Sequence, residues 1–309
     1  MKEFKHYPVM AKEAVDALNC QEGKLYVDAT LGGGGYSELI LQRISPNGQL
    51  ISFDVDSDAI NASRERLKNY GNLTIVQDSY VNVKNYLNKN GIKEITGGIV
   101  FDLGASYPQL TSDTRGFSFQ KDARLDMRFN QNAEFTAHDV INSYSESELV
   151  RIFSEYGEER FSKRIAKKIV ENRRGHLINT TKDLANLIIE ATPKVKSNIH
   201  PATRVFQAVR IEVNDELRNI KNTLNDVLTL LSVNAILSVV TFHSLEDRIV
   251  KRCFKYHSSK CNCEPNQAIC NCPPPLLEVV TRKPITASNM EIVENPPSRS
   301  AKLRVAKRI

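Results

Sequence analysis

Four consecutive glycines, Gly32 to Gly35, stand in DATLGGGGYSELI (28–40) between an apolar run and a helix-like segment. A strand, a glycine turn and a helix bring backbone N–H groups to a ligand's edge, where side chains would block approach. Dinucleotides and S-adenosylmethionine both use such corners. The dinucleotide fingerprint G-x-G-x-x-G, read from Gly32, needs a glycine at position 37, where this chain has Ser37. That substitution weighs against a nicotinamide enzyme. The next apolar run ends in Asp54 and Asp56, placed where a carboxylate can accept from both hydroxyls of a ribose. Asp56 suits a turn or helix cap better. Beyond a third run, Asp78, Ser79 and Tyr80 could bound an adenine with a polar group and a flat ring, or Tyr80 could simply pack.

A fourth run leads into FDLGASYPQL (101–110). An exocyclic base amine is a poor nucleophile because its lone pair is delocalised into the ring. Oxygen acceptors that hold its N–H groups can turn that lone pair toward an electrophile. Asp102 and the Ser106-Tyr107-Pro108-Gln109 turn could supply them; an Asp that caps a strand end is the alternative. His243 follows a fifth run, in the right titration range to accept a proton, and could equally be structural or a phosphate contact. Arg204, Gln207 and Arg210 share a helix face. They could contact RNA phosphates or pair with acids between Glu212 and Glu216.

Of six cysteines, Cys20 and Cys253 stand alone and CNCEPNQAICNC groups Cys261, Cys263, Cys270 and Cys272. Four thiols can converge on one zinc. One-residue spacing beside PPP fits an exposed loop of free thiols equally well, so no metal ligand is assigned among the expected site residues.

Strand and helix signals alternate to position these groups. LYVDA (25–29), QLISFDVD (49–56), LTIVQD (73–78), GGIVFDLG (97–104) and AILSVVTF (235–242) read as strands. YSELILQRI and DAINASRERLKNY read as the helices between them, with Ser57 or Asp58 capping the second. Such βα repeats predict a parallel sheet wrapped by helices, with ligands at the strands' carboxyl ends. ASYPQLTSDTRGFSFQKDARLDMRFNQN reads as a long loop, and ESELVRIFSEY, ERFSKRIAKKIVENRR and TKDLANLIIEAT as an inserted helical region. In the second of these, Phe161, Ile165 and Ile169 share a face, with Lys163, Lys167 and Arg174 largely off it. Phe206, Val209, Val213, Leu217, Ile220 and Leu224 predict one long core helix. SLEDRIVKRCFKY predicts another, with a capping box of Ser244 and Asp247. LLEVVTRKP and KLRVAKR can close the sheet as a strand pair.

The chain has 309 residues and a net charge of +6, with Arg299, Lys302, Arg304, Lys307 and Arg308 near its end. A bias of this kind suits a polyanionic partner or a solvated basic surface. No apolar run approaches the roughly 20 residues of a membrane span, and MKEFKHYPVM lacks a signal peptide's apolar core. The expected compartment is the cytoplasm, with no membrane partner and reduced thiols.

DATLGGGG, FDLGASYPQL, RGFSF, LDMR, YGEERFSKRIAKKIV, HPATRVFQAVRIEVNDEL, FHSLEDRIVKR and RSAKLRVAKR, in that order, closely resemble the bacterial small-subunit (16S) ribosomal RNA cytosine-N4 methyltransferase family, MraW or RsmH. The resemblance spans nearly the whole chain. It implies an α/β fold, a class I S-adenosylmethionine-dependent (Rossmann-like) sheet over 1–109 and 200–309, with an all-helical, RNA-recognising insertion over 110–199. It further implies methyl transfer to the N4 amine of a cytidine in the decoding region of 16S rRNA, within the small ribosomal subunit. Cofactor contacts carry over to Gly34, Gly35, Tyr36, Asp54, Tyr80, Asp102 and Gln109, and chemistry to Asp102, Ser106 and Pro108, with His243 as candidate base. The family generally has His at Tyr36, commonly Phe at Tyr80, and Ser-Ser-Pro at Ser106-Tyr107-Pro108. The rival readings are a ribosome-assembly factor without activity and a nicotinamide-dependent oxidoreductase.

Overall fold

Tyr26 and Val27 are adjacent and both buried, yet they belong to different hydrophobic clusters. Side chains alternate across a strand, so an apolar run buried at consecutive positions belongs to a sheet covered on both faces. The computed structural model describes residues 8–193, 200–263 and 270–309. The chain runs α1 (Ala11–Leu18), β1 (Leu25–Asp28), α2 (Gly35–Ile44), β2 (Gln49–Asp54), α3 (Ser57–Arg66), β3 (Leu73–Gln77), α4 (Val83–Lys89) and β4 (Gly98–Asp102). It continues through α5 (Tyr107–Thr111), α6 (Ala137–Ser143), α7 (Glu146–Glu155), α8 (Ser162–Arg173), α9 (Thr181–Ala191), α10 (Ala202–Asn214) and α11 (Glu216–Leu228). It ends with β5 (Ile236–Thr241), α12 (Ser244–Ser258), β6 (Leu277–Val279), β7 (Ile285–Thr286), α13 (Asn289–Glu294) and β8 (Lys302–Arg308).

Two compact units result, one of Met1–Gly104 with Leu217–Ile309 and one of Ala105–Glu216. In the first the strand order is β3-β2-β1-β4-β5-β8-β6, with β7 also paired to β8. β1 to β5 are parallel, while β6, β7 and β8 pair antiparallel. Val27, Phe53, Phe101 and Val239 pack with Leu87, Leu224 and Phe254 on one face. Tyr26, Leu50, Val100 and Val240 pack with Leu18, Ile40 and Ile60 on the other. No helix among the described residues is long and apolar enough to cross a membrane.

The second unit has its own core. Ile152, Phe153, Ile165, Ile169, Leu184, Ile188, Phe206 and Val209 are all buried within it. Thr136, Ser145 and Thr180 cap α6, α7 and α9 by accepting from backbone N–H groups three residues on.

The expected elements are altered in four places. The helix predicted to run through Val213 and Leu217 breaks at Asp215, whose φ of 49° is left-handed. Asp tolerates that conformation, and the break falls where one unit ends and the other resumes. The long loop after Gly104 contains α5, with Ser106 at its start. Asp56, rather than Ser57 or Asp58, caps α3 by accepting from the Asp58 N–H at 3.0 Å. His243, rather than Ser244, precedes α12, and Glu246 Oε2 accepts from the backbone N–H groups of Phe242 and His243 at 2.8 and 3.2 Å. Asp247 turns away to Arg304.

Candidate active site

In the order β3-β2-β1-β4-β5 the chain reverses its winding between β1 and β4. Helices leave such neighbours in opposite directions, so a crevice opens at their carboxyl ends. Asp28 ends β1 and Asp102 ends β4. The two ends are tied together: the Ala29 N–H donates to the Val100 carbonyl at 2.9 Å, and the Asp102 N–H donates to Thr30 Oγ1 at 2.7 Å.

The glycine corner follows β1. Gly34 has φ +77°, and a Cβ there would lie 3.1 Å from both Leu67 and Ser63. At Gly35 a Cβ would lie 2.4 Å from Pro8 Cγ, so the chain's own N-terminal segment occupies the space beside it. Gly32 differs. A Cβ there would meet nothing nearer than 3.9 Å, and its N–H donates to Asp54 Oδ2 at 2.8 Å. Open approach to the backbone is therefore found at Gly32, while packing explains the absence of side chains at Gly34 and Gly35.

Ser37, which fills the dinucleotide motif's third glycine position, is buried, and its hydroxyl donates to Asp28 Oδ2 at 2.7 Å. With that proton committed, the 2.9 Å contact between Ser37 and Ser52 must be donated by Ser52. The Thr30 N–H reaches Asp28 Oδ1 at 3.1 Å. Burial nevertheless pushes the Asp28 carboxyl up to about 6.

Tyr36 is 2% exposed; its hydroxyl donates to the Val9 carbonyl and lies beside the Asp102 carboxyl. Burial, with Asp28 and Glu246 adding like charge, raises the Asp102 carboxyl well above the usual range. Asp102 Oδ1 is buried with no hydrogen-bond partner among the described residues. His243 closes this edge after β5. Its Nε2 lies 3.1 Å from Glu246 Oε1, an ion-pair distance, yet neither ring nitrogen has a hydrogen bond of good geometry among the described residues.

Asp54, at the end of β2, accepts from the N–H groups of Gly32 and Asp56 at 2.8 and 2.9 Å. Burial outweighs these bonds and raises its carboxyl. Tyr80 packs edge-on against Phe101, with ring centroids 5.9 Å apart, so its ring is fixed at the end of β3. Gln109 Oε1 accepts from the Ser106 N–H at 3.0 Å, fixing the first turn of α5, where Pro108 sits and Tyr107 is 55% exposed. Ser106, Pro108 and Gln109 belong to the helical unit.

The basic groups divide. Arg210 pairs bidentately with the buried Glu216 at 2.8 and 3.0 Å, while Arg204 and Gln207 donate to the carbonyls of Glu158 and Tyr156. That helix face is used in holding its own unit. In β8, Arg304 meets Asp247 at 2.6 Å, Lys302 reaches Asp247 at 3.4 Å, and Lys307 pairs with Glu278 at 3.1 Å. Two carboxylates, Asp247 and Glu278, thus meet three of the five basic residues near the C-terminus. Lys163, Arg164 and Lys167 on α8 are exposed.

Two residues of this site were not singled out from the sequence. Asp28 was signalled by its place at the end of the first strand, as Asp54 and Asp102 were in theirs. Glu246 looked like an ordinary first-turn acid, and only the fold brings it near Asp102.

The family model described as the MraW methylase family matches residues 3–309. The ribosomal RNA small subunit methyltransferase H of Clostridium botulinum (strain Loch Maree / Type A3) is 48% identical over 309 residues, covering 99% of this chain and 100% of its own length. The protein of the same name from Caldicellulosiruptor bescii is 47% identical over 307 residues, with the same coverage. Among solved structures, an rRNA methylase from Streptococcus thermophilus aligns with a TM-score of 0.44 at 9% identity, covering 99% of each chain.

Proposed function

The chain belongs to the MraW methylase family, and from that membership we propose that it moves a methyl group from S-adenosylmethionine to the N4 amine of a cytidine in the decoding region of 16S ribosomal RNA. The observation that carries the reading is the carboxyl cluster beside the glycine corner. Asp28 and Glu246 both act on Asp102, and Asp102 Oδ1 has no hydrogen-bond partner among the described residues. Such a cluster favours a cationic ligand, since a positive charge nearby stabilises the ionised carboxylates. S-adenosylmethionine carries a sulfonium and an ammonium group. A dinucleotide pyrophosphate is anionic and would be repelled, which argues against the nicotinamide reading.

The residues fit the cofactor. Asp54 would hold the ribose hydroxyls, Gly32 would leave room for close approach, with Gly34 and Gly35 shaping the turn, and Tyr80 would flank the adenine. Gln109 and Tyr36 act by fixing neighbours: Gln109 holds the Ser106 backbone, and Tyr36 holds Asp102. The bound cofactor supplies an electrophilic methyl group. Asp102 Oδ1 accepts one N–H of the target amine and so directs its lone pair. Ser106 and Pro108, a few residues along the chain, meet the base, which must be unstacked to expose its amine. His243 takes the proton released on methylation. The substrate is RNA of the small subunit, in the cytoplasm.

The direct test supplies labelled S-adenosylmethionine and small subunits that lack the modification, followed by nucleoside mass spectrometry. N4-methylcytidine at one decoding-region position is expected. Label on another base would refute the assignment, and intact cofactor binding without label would favour an assembly factor.

A further inference from the structure

The segment between α12 and β6 holds four thiols that the methyl-transfer reading does not use. In extended backbone, residues two apart point the same way, so each C-x-C presents two sulfurs on one side. The fold brings the two pairs together. Cys263 Sγ lies 3.5 Å from Cys272 Sγ, and Cys270 Sγ lies 3.7 Å from Cys261 Sγ. All four sulfurs lie within 4.8 Å of one another. Zinc–thiolate bonds of about 2.3 Å in a tetrahedron set sulfurs about 3.8 Å apart. We propose that Cys261, Cys263, Cys270 and Cys272 bind one structural zinc ion.

Two further observations support this site. The Asn262 N–H donates to Cys272 Sγ at 3.1 Å, a contact that stabilises a thiolate ligand. Each sulfur lies within reach of all three others, which is the pattern of one four-sulfur cluster and not of two isolated pairs. An all-sulfur tetrahedron selects zinc over magnesium or calcium and leaves no position for substrate. Cys20 and Cys253, by contrast, are raised to about 11 chiefly by burial and lie outside the cluster.

The ion would clip the end of α12 to the start of β6. The Leu276 N–H already donates to the His257 carbonyl at 2.8 Å, and Asn262 Nδ2 to the Tyr256 carbonyl at 2.9 Å. This inference does not depend on the methyl-transfer reading. The test uses the full chain, purified under reducing conditions without chelator, and counts zinc by elemental analysis. About one equivalent is expected, falling below about a tenth in Cys263→Ser and Cys270→Ser. Cobalt reconstitution of the wild-type chain is expected to give tetrahedral d–d bands with thiolate charge transfer, a readout that does not need the variants to fold. The proposal is overturned by a reduced chain that takes up neither metal when supplied in equimolar amount, or by two disulfides found by mass spectrometry.

Discussion

The Tyr36 hydroxyl touches both the Val9 carbonyl and the Asp102 carboxyl, although it carries one proton. A backbone carbonyl only accepts, so the hydroxyl proton is committed to Val9. Burial, with Asp28 and Glu246 adding like charge, raises the Asp102 carboxyl well above its usual range. A cationic cofactor reverses the balance. S-adenosylmethionine binding is therefore expected to release protons, measured by calorimetry in buffers of different ionisation enthalpy. Asp102→Asn should bind more weakly and without buffer dependence; buffer-independent binding by the wild-type chain would contradict the assignment.

Removing the hydroxyl isolates the other half of this relationship. Tyr36→Phe leaves a buried carbonyl and a buried carboxyl short of a partner, at an expected cost of about 1–3 kcal/mol in urea unfolding. Tyr36→His restores a donor of smaller reach and should recover part of the loss. If Tyr36→Phe unfolds at the wild-type midpoint, the hydroxyl does not anchor the Val9 segment.

Much of this arrangement was legible in the sequence because parallel strands end on one side: Asp54 and Asp102 each fall near the carboxyl end of a run that reads as a strand. The role of Ser37 was half legible. Its mismatch to a glycine motif argued against a dinucleotide, but its bond to Asp28 depends on how closely α2 packs on β1. Tyr36 was read as a cofactor contact because motif position says nothing about which way a side chain turns. Gly35 was misleading for a related reason: Pro8, distant from the ligand edge in any motif, fills the space beside it. The break at Asp215 escaped because apolar spacing continues across it, and one left-handed residue leaves no mark on periodicity.

Asp28 offers a pH test. Its carboxyl moves from an ordinary 3.8 to about 6 on folding, corresponding to about 3 kcal/mol of penalty on the ionised form. The folded state holds this proton more tightly than the unfolded chain. Stability from this group is full below pH 3.8 and is lost as pH rises to about 6, with no further change above. Asp28→Asn has no such titration, so its stability relative to wild type should improve across that window and then level off. A constant difference from pH 3.5 to 7 would place the Asp28 carboxyl at its ordinary value.

The two groups of basic residues predict opposite phenotypes. Arg304 is 6% exposed and joined to Asp247, so Arg304→Met leaves that carboxylate with only the longer contact to Lys302. The expected cost is about 1–3 kcal/mol, with no change in the salt dependence of RNA binding. Lys163 and Arg164 on α8 are exposed, and their removal should alter stability by no more than about 0.5 kcal/mol. If α8 meets phosphates, each alanine variant releases about one fewer counterion, and the slope of log affinity against log salt falls by about 0.7–0.9 per residue. Filter binding to small-subunit RNA over a salt series reads both effects. A slope altered by Arg304→Met and unaltered by the α8 variants would move the RNA-binding face from the helical unit to the sheet edge.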